Sequence, residues 1–405
     1  MPVTFKSIAL CAALAWSWFS PPAAGQSFEE LERRLAEHPS LTALNYQSEA
    51  SRERSLAATA LPDPVLSVGV NNFPIADPSF TEFLPTNKAI GVRQEFPNRA
   101  GRKARAGEAR ALAEQIELVR AAQLAALRGE LIALLHEKTR ITRQRDLAEQ
   151  RHEKYDALTG VVEAEIDAGR PAVFRLAEIE AERAGVARQL IDLDRQKAEI
   201  DARLVDLVGI IPATQAPATA PVEWSGEARD FHAVRIADAA IRVANYSVDG
   251  AKAAWRPNWG AQLTYQQREA GDNFSGDDWV SGMVTFSVPL WAGKSQKPRL
   301  RAARADRAGA EMRYQSASRS AAARYAAEAA AWRAARDSIS ILKRNITAVE
   351  DEIKAQLSVY ESGAGDYAPI IDGEIAVLSL RADIAAEKAR MSAALARMNA
   401  LMAQS

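Results

Sequence analysis

One plan is used twice along this chain, and that duplication limits the folds open to it. Pro97-Asn98-Arg99-Ala100-Gly101-Arg102 returns 192 positions later as Pro289-Leu290-Trp291-Ala292-Gly293-Lys294. Ala168-Gly169, followed by Glu178 and Glu180, returns 194 positions later as Ser362-Gly363, followed by Asp372 and Glu374. Pro62 precedes one alternating segment, and Pro257 precedes another 195 positions on. The offset hardly drifts, so a unit of roughly 190 residues is repeated, and such a period governs the whole architecture. The first unit takes 26–210, a linker rich in Pro, Ala and Thr takes 211–223, and the second unit takes 224–405.

Each unit reads as helix, strand, strand, very long helix, returning helix. Strands are expected at about 64–71 and 89–96, then at 259–267 and 279–288. Leu66, Val68 and Val70 share one face of the first, and Ile90, Val92 and Phe96 one face of the second. In the second unit Trp259, Ala261, Leu263 and Tyr265 alternate with Gly260, Gln262, Thr264 and Gln266. Val280, Val284, Phe286 and Val288 alternate with Ser281, Met283, Thr285 and Ser287. Long helices are expected over 100–167 and 294–361, with returning helices over 173–208 and 370–402. Single globular helices rarely exceed about 25 residues. Small residues such as Ala321-Ala322-Ala323 and Ala329-Ala330-Ala331 would let neighbouring helices approach closely.

Four strands are too few for a core of their own. Their length and alternation suit transmembrane strands, which need about 9–11 residues with apolar side chains outward. Trp259, Trp279, Tyr265, Phe73 and Phe83 would suit interfacial girdles. An open four-stranded sheet in lipid would leave its edges unpaired, which lipid does not tolerate. If these strands cross a membrane, several chains must share one closed barrel.

The charge balance excludes one large class. Lys and Arg total 51 against 52 Asp and Glu, so no basic surface for nucleic acid is expected. Cys11 is the only cysteine, which removes disulfide frameworks and cysteine metal sites. It lies within an apolar run after Lys6, behind Leu10, and does not suit lipidation. Residues 1–25 read as a secretory signal, with Ala23 and Gly25 placed for a cut before Gln26. His38, His136, His152 and His232 are scattered, and no Ser-His-Asp set or phosphate loop stands out. No enzyme and no cofactor are expected.

Taken with the duplicated plan, three local patterns resemble the TolC-type outer-membrane efflux proteins over about 28–402. They are Leu61-Pro62-Asp63-Pro64 leading into a strand, Gln94-Glu95-Phe96-Pro97 running into Ala100-Gly101-Arg102-Lys103, and a glycine turn with an acid nine positions later. The Pro62–Pro64 region, Asn72-Phe73-Pro74 and Gly91-Val92-Arg93-Gln94-Glu95-Phe96-Pro97 look most like the heavy-metal efflux branch. The resemblance implies a mainly α chain with a small transmembrane β part. It implies a homotrimer with a twelve-stranded β-barrel and an α-helical periplasmic tunnel in the outer membrane of a Gram-negative bacterium. The expected role is passive export of heavy-metal cations or other toxic solutes. An inner-membrane resistance-nodulation-division pump would drive it through a periplasmic adaptor. A type I secretion or drug-efflux channel is the neighbouring alternative, and a soluble periplasmic coiled-coil adaptor is the alternative of another class.

By the same resemblance Asp372 matches a gate aspartate at the periplasmic tip, with Glu178 its counterpart in the first unit. Pro369 stands where the family can carry a second acid. Ala168, Gly169, Arg170, Ser362, Gly363 and Ala364 are expected at adaptor-contacting tips. Leu66, Val68, Val70, Ile90, Val92, Leu263, Tyr265, Val284 and Phe286 are expected to face outer-membrane lipid.

Overall fold

The computed structural model describes residues 27–76, 78–81, 86–171, 173–268, 270 and 276–403. The expected signal segment and Phe83 lie outside these residues. Two short helices open the first unit, α1 (Phe28–Ala36) and α2 (Pro39–Ala57). Ser27 caps α1 by accepting from the Glu30 amide, and Pro39 occupies the first turn of α2, where a missing N–H is harmless. The hairpin β1 (Val65–Asn71) and β2 (Asn87–Phe96) follows, then α3 (Arg99–Asp167) and α4 (Val173–Val208). The second unit repeats this order as α5 (His232–Ala253), β3 (Trp259–Arg268), β4 (Trp279–Phe286), α6 (Gln296–Glu361) and α7 (Ala368–Leu401).

The 69 residues of α3 span about 100 Å at 1.5 Å per residue. Such a helix cannot stand alone. It packs against α2 and α5 near the sheet, and against α4 and α7 further down. Leu131, Leu135, Ile141, Leu158 and Val162 of α3 join Ile179, Val186, Leu193 and Leu204 of α4 in one extended core. Gly129 lies where α3 meets α7: a Cβ there would come within 3.1 Å of the Ala396 carbonyl.

The linker is fastened to the second unit. Tyr325 donates to the Val222 carbonyl at 3.0 Å and accepts from the Trp224 amide at 3.2 Å. Trp224, Phe231 and Tyr325 stack edge and tilted against one another, and Phe231 bridges to Met402. Lys138 holds the other end, donating to the Pro212 carbonyl at 3.0 Å while pairing with the buried Asp201 at 2.8 Å.

All four strands form one antiparallel sheet in the order β1-β2-β3-β4, so β2 and β3 join the two units. Opposed residues share a face, and the register therefore sorts the side chains. Leu66 opposes Val92, which opposes Leu263; Val68 opposes Ile90, which opposes Tyr265. Gln94, Ala261 and Val284 form a further row of this face, as do Phe96, Trp259 and Phe286. Trp279 does not belong to it. It opposes Gln266, on the face of Gln262 and Thr264, and Arg268 stacks over its ring at 4.3 Å. The girdle expected of Trp279 is therefore corrected: with β4 beginning at that residue, alternation sends its indole to the polar side. Val288 likewise lies beyond the end of β4, in the bend where the Ser287 amide reaches the Asn258 carbonyl.

Candidate functional site

Two regions carry the chemistry, the sheet and the far ends of the long helices. On the sheet, all nine residues expected against lipid fall on one face and all are exposed, from Val70 at 39% to Val68 at 76%. An apolar face this open has no partner among the described residues. The opposite face is polar and crowded. A Cβ on Gly91 would meet the Ser67 hydroxyl at 2.8 Å and the Thr264 hydroxyl at 3.1 Å, and one on Gly260 would meet the Thr285 hydroxyl at 2.6 Å.

At the far end, α3 and α6 close with the same device. Gly169 and Gly363 have φ of +82° and +76°, a conformation glycine adopts without penalty. The Gly169 amide donates to the Ile166 carbonyl and the Arg170 amide to that of Glu165. The Gly363 amide donates to the Tyr360 carbonyl and the Ala364 amide to that of Val359. Both are Schellman endings, in which two of the orphan carbonyls of the last turn find donors. Ala168, Gly169, Arg170, Ser362, Gly363 and Ala364 are all exposed on these turns. Pro369 falls in the first turn of α7, where its ring is compatible with the helix.

The structure brings the two tips together. Arg170 pairs with Asp366 at 2.5 Å and with Glu165 at 3.9 Å. The Asp366 hydrogen bond and charge raise the Arg170 guanidinium above its already high value. Asp372 is not a lone carboxylate: Arg175 of α4 reaches its Oδ2 at 3.1 Å. Glu374 receives Lys154 of α3 at 2.5 Å. Glu178 lies on the exposed side of α4, one turn past Arg175, and no ion pair joins it among the described residues. Sequence reasoning missed Arg175 and Lys154. Their signal was slight, since each is one basic residue among many on an exposed helix.

No helix among the described residues is long and apolar enough to cross a membrane, and no group of His, Cys, Asp and Glu could hold a metal ion. Residues 229–404 match the family described as outer membrane efflux protein. The first unit carries the same order of elements as that matched part. The second unit is thus similar to the outer membrane efflux proteins.

Solved structures agree in fold. The channel protein CusC superposes with a TM-score of 0.77 at 14% identity, over 94% of this chain and 93% of its own. VceC of Vibrio cholerae gives 0.74 at 16%, over 92% and 95%. The open state of MtrE from Neisseria gonorrhoeae gives 0.69 at 17%, over 92% and 88%. No curated protein matches the sequence.

Proposed function

We propose that three copies of the chain close their sheets into one twelve-stranded barrel and continue it as a helical tunnel. The observation that carries this reading is the four-stranded sheet with an exposed apolar face, whose outer strands β1 and β4 pair on one side only among the described residues. β2 and β3 have ten residues each, within the about 9–11 that a tilted strand needs to cross a bilayer. An open edge in lipid would leave backbone N–H and C=O groups unpaired at several kcal/mol each. Pairing β4 of one copy with β1 of the next removes every edge.

The tunnel is a passive duct. An inner-membrane pump of the resistance-nodulation-division class supplies the energy, and a periplasmic adaptor docks on the exposed tip turns. The cargo is heavy-metal cations or other toxic solutes, and the resemblance of Asn72-Phe73-Pro74 and of 91–97 to the heavy-metal efflux branch supports the metal reading. Asp372, with Glu178 beside it in the repeat, lines the narrow periplasmic end.

The test is a clean deletion of the gene, challenged with metal salts and, separately, with lipophilic drugs. Sensitivity to metals alone, restored by the wild-type gene, supports the metal-export reading, and sensitivity to drugs alone overturns it. Membrane fractions of the restored strain should hold a trimer that resists mild detergent. Cysteines placed at Val68 and Val280 should cross-link between copies. A stable monomer would sink the barrel.

A further inference from the structure

Three consecutive residues of α7 reach the three other helices of the tip. Asp372 meets Arg175 of α4, Gly373 faces Ile353 of α6, and Glu374 meets Lys154 of α3. The middle contact is the tightest. A Cβ on Gly373 would lie 2.6 Å from Ile353 Cγ1 and 3.2 Å from its Cδ1. Carbon atoms rest at about 3.5–4.0 Å. Any side chain at 373 would therefore displace Ile353 or move α6 away from α7.

Glycine at this place needs a reason. Within a helix it is worse than alanine by roughly 0.5–1 kcal/mol. Gly169 and Gly363 are explained by their positive φ, but Gly373 lies inside α7 with ordinary helical geometry. What remains is close approach. Ile353 also lines the groove of about 600 Å³ between α3, α6 and α7, together with Lys154, Glu374 and Leu378. The side chain from α6 thus fills the gap between the two ion pairs of α7.

We propose that Gly373 is a positioning residue: by seating Ile353 it holds α6 against α7 and fixes where Asp372 stands. The consequence for ion flow rests on the gate reading of Asp372, while the packing has its own readout. An alanine here would drive α6 outward. The turn bearing Asp372 and Glu374 would then shift against Arg175 and Lys154.

The experiment uses the full-length protein, purified in detergent and reconstituted in planar bilayers. Gly373→Ala, Ile353→Ala, the double variant and Asp372→Ala are compared with Gly185→Ala, where a Cβ meets nothing within 4 Å. Amide exchange is followed over 350–361 and 368–381, and single-channel conductance beside it. Gly373→Ala should speed exchange in both segments about tenfold, as a local loss of packing would. The double variant should return exchange to near wild type, and Gly185→Ala should leave it unchanged. Conductance should rise with Gly373→Ala and fall back in the double variant.

Unchanged exchange in Gly373→Ala would overturn the proposal, because α6 would then seat without the glycine. Failure of Ile353→Ala to rescue would overturn it too, since the clash would lie elsewhere. If Asp372→Ala alters conductance while Gly373→Ala alters exchange alone, Gly373 does not position the gate and the proposal falls. If exchange and rescue behave as stated and neither variant alters conductance, the packing role stands and the gate reading of Asp372 is what fails.

Discussion

Asp372 and Arg175 meet at the tip, Oδ2 to Nη2 at 3.1 Å, on helices from opposite halves of the duplicated chain. The pairing changes what a ring of Asp372 would do. Three bare carboxylates would repel one another and gather cations. Three pairs are close to neutral. The side chains are 50% and 29% exposed, so each pair adds only about 0.2–1 kcal/mol and makes a light latch.

The first prediction follows from that neutrality. Arg175→Ala should bare the carboxylates and strengthen block by divalent and trivalent cations. Asp372→Ala should bare the guanidinium groups and weaken the block. Exchanging the two charges in one double variant should bring block back toward wild type. Block and conductance are read in planar bilayers. If all three variants behave as wild type, the pair lies away from the ion path.

The sheet supplies the second prediction. Val68 and Val284 stand on the apolar face, 76% and 68% exposed, and Thr285 stands on the polar face. Aspartate at Val68 or Val284 should lower the folded trimer in the membrane, at a cost of up to about 2–4 kcal/mol near the midplane. Aspartate at Thr285 should be tolerated. Trp279 sharpens the comparison: because it opposes Gln266, Trp279→Asp should be milder than Trp259→Asp. Trimer yield on mild gels decides, and equal losses at every position would refute the assignment of faces.

The duplication and the alternation made the element order and the apolar face legible. Both rest on periodic side-chain chemistry, which a sequence displays directly. The start of β4 was read correctly at Trp279, but its ring size was weighed above its phase against Val280 and Val284, and the phase decides the face. The tip glycines were visible because a long helix must end somewhere. Arg175 and Gly373 were not, because their meaning depends on contacts between α4, α6 and α7. Those helices lie up to 197 positions apart for the Arg175–Asp372 pair, and no local pattern encodes that juxtaposition.

The third prediction concerns pH. Burial holds the imidazoles of His136 and His232 below the ordinary value of 6.5, and Arg235 adds to the effect at His232. The unfolded chain then takes up protons first as pH falls. Stability contributed by the neutral folded histidines is complete above about pH 6.5 and declines as pH drops through that value toward the folded ones. The thermal midpoint should fall between pH 7.5 and 5.5. His136→Gln with His232→Gln should flatten that fall. An undiminished fall in the double variant would assign it to other groups.

The fourth prediction separates shape from docking at the tips. Gly363 has φ of +76°, and a Cβ there meets nothing within 4 Å. Gly363→Ala therefore pays only for its backbone, about 1 kcal/mol, with no clash. Gly363→Asn should cost less, since asparagine enters the left-handed region more readily. Neither should alter trimer level in the outer membrane. Gly363→Asp adds a charge to an exposed turn already carrying Asp366 beside Arg170. If the turn is the adaptor's docking surface, Gly363→Asp should abolish resistance, while Gly363→Asn keeps most of it. The same contrast at Gly169, with φ of +82°, shows whether both tips are used. Loss of resistance in the asparagine and aspartate variants alike would place the requirement in the turn's shape. Full resistance in Gly363→Asp, with the trimer at its usual level, would show that the adaptor does not bind there.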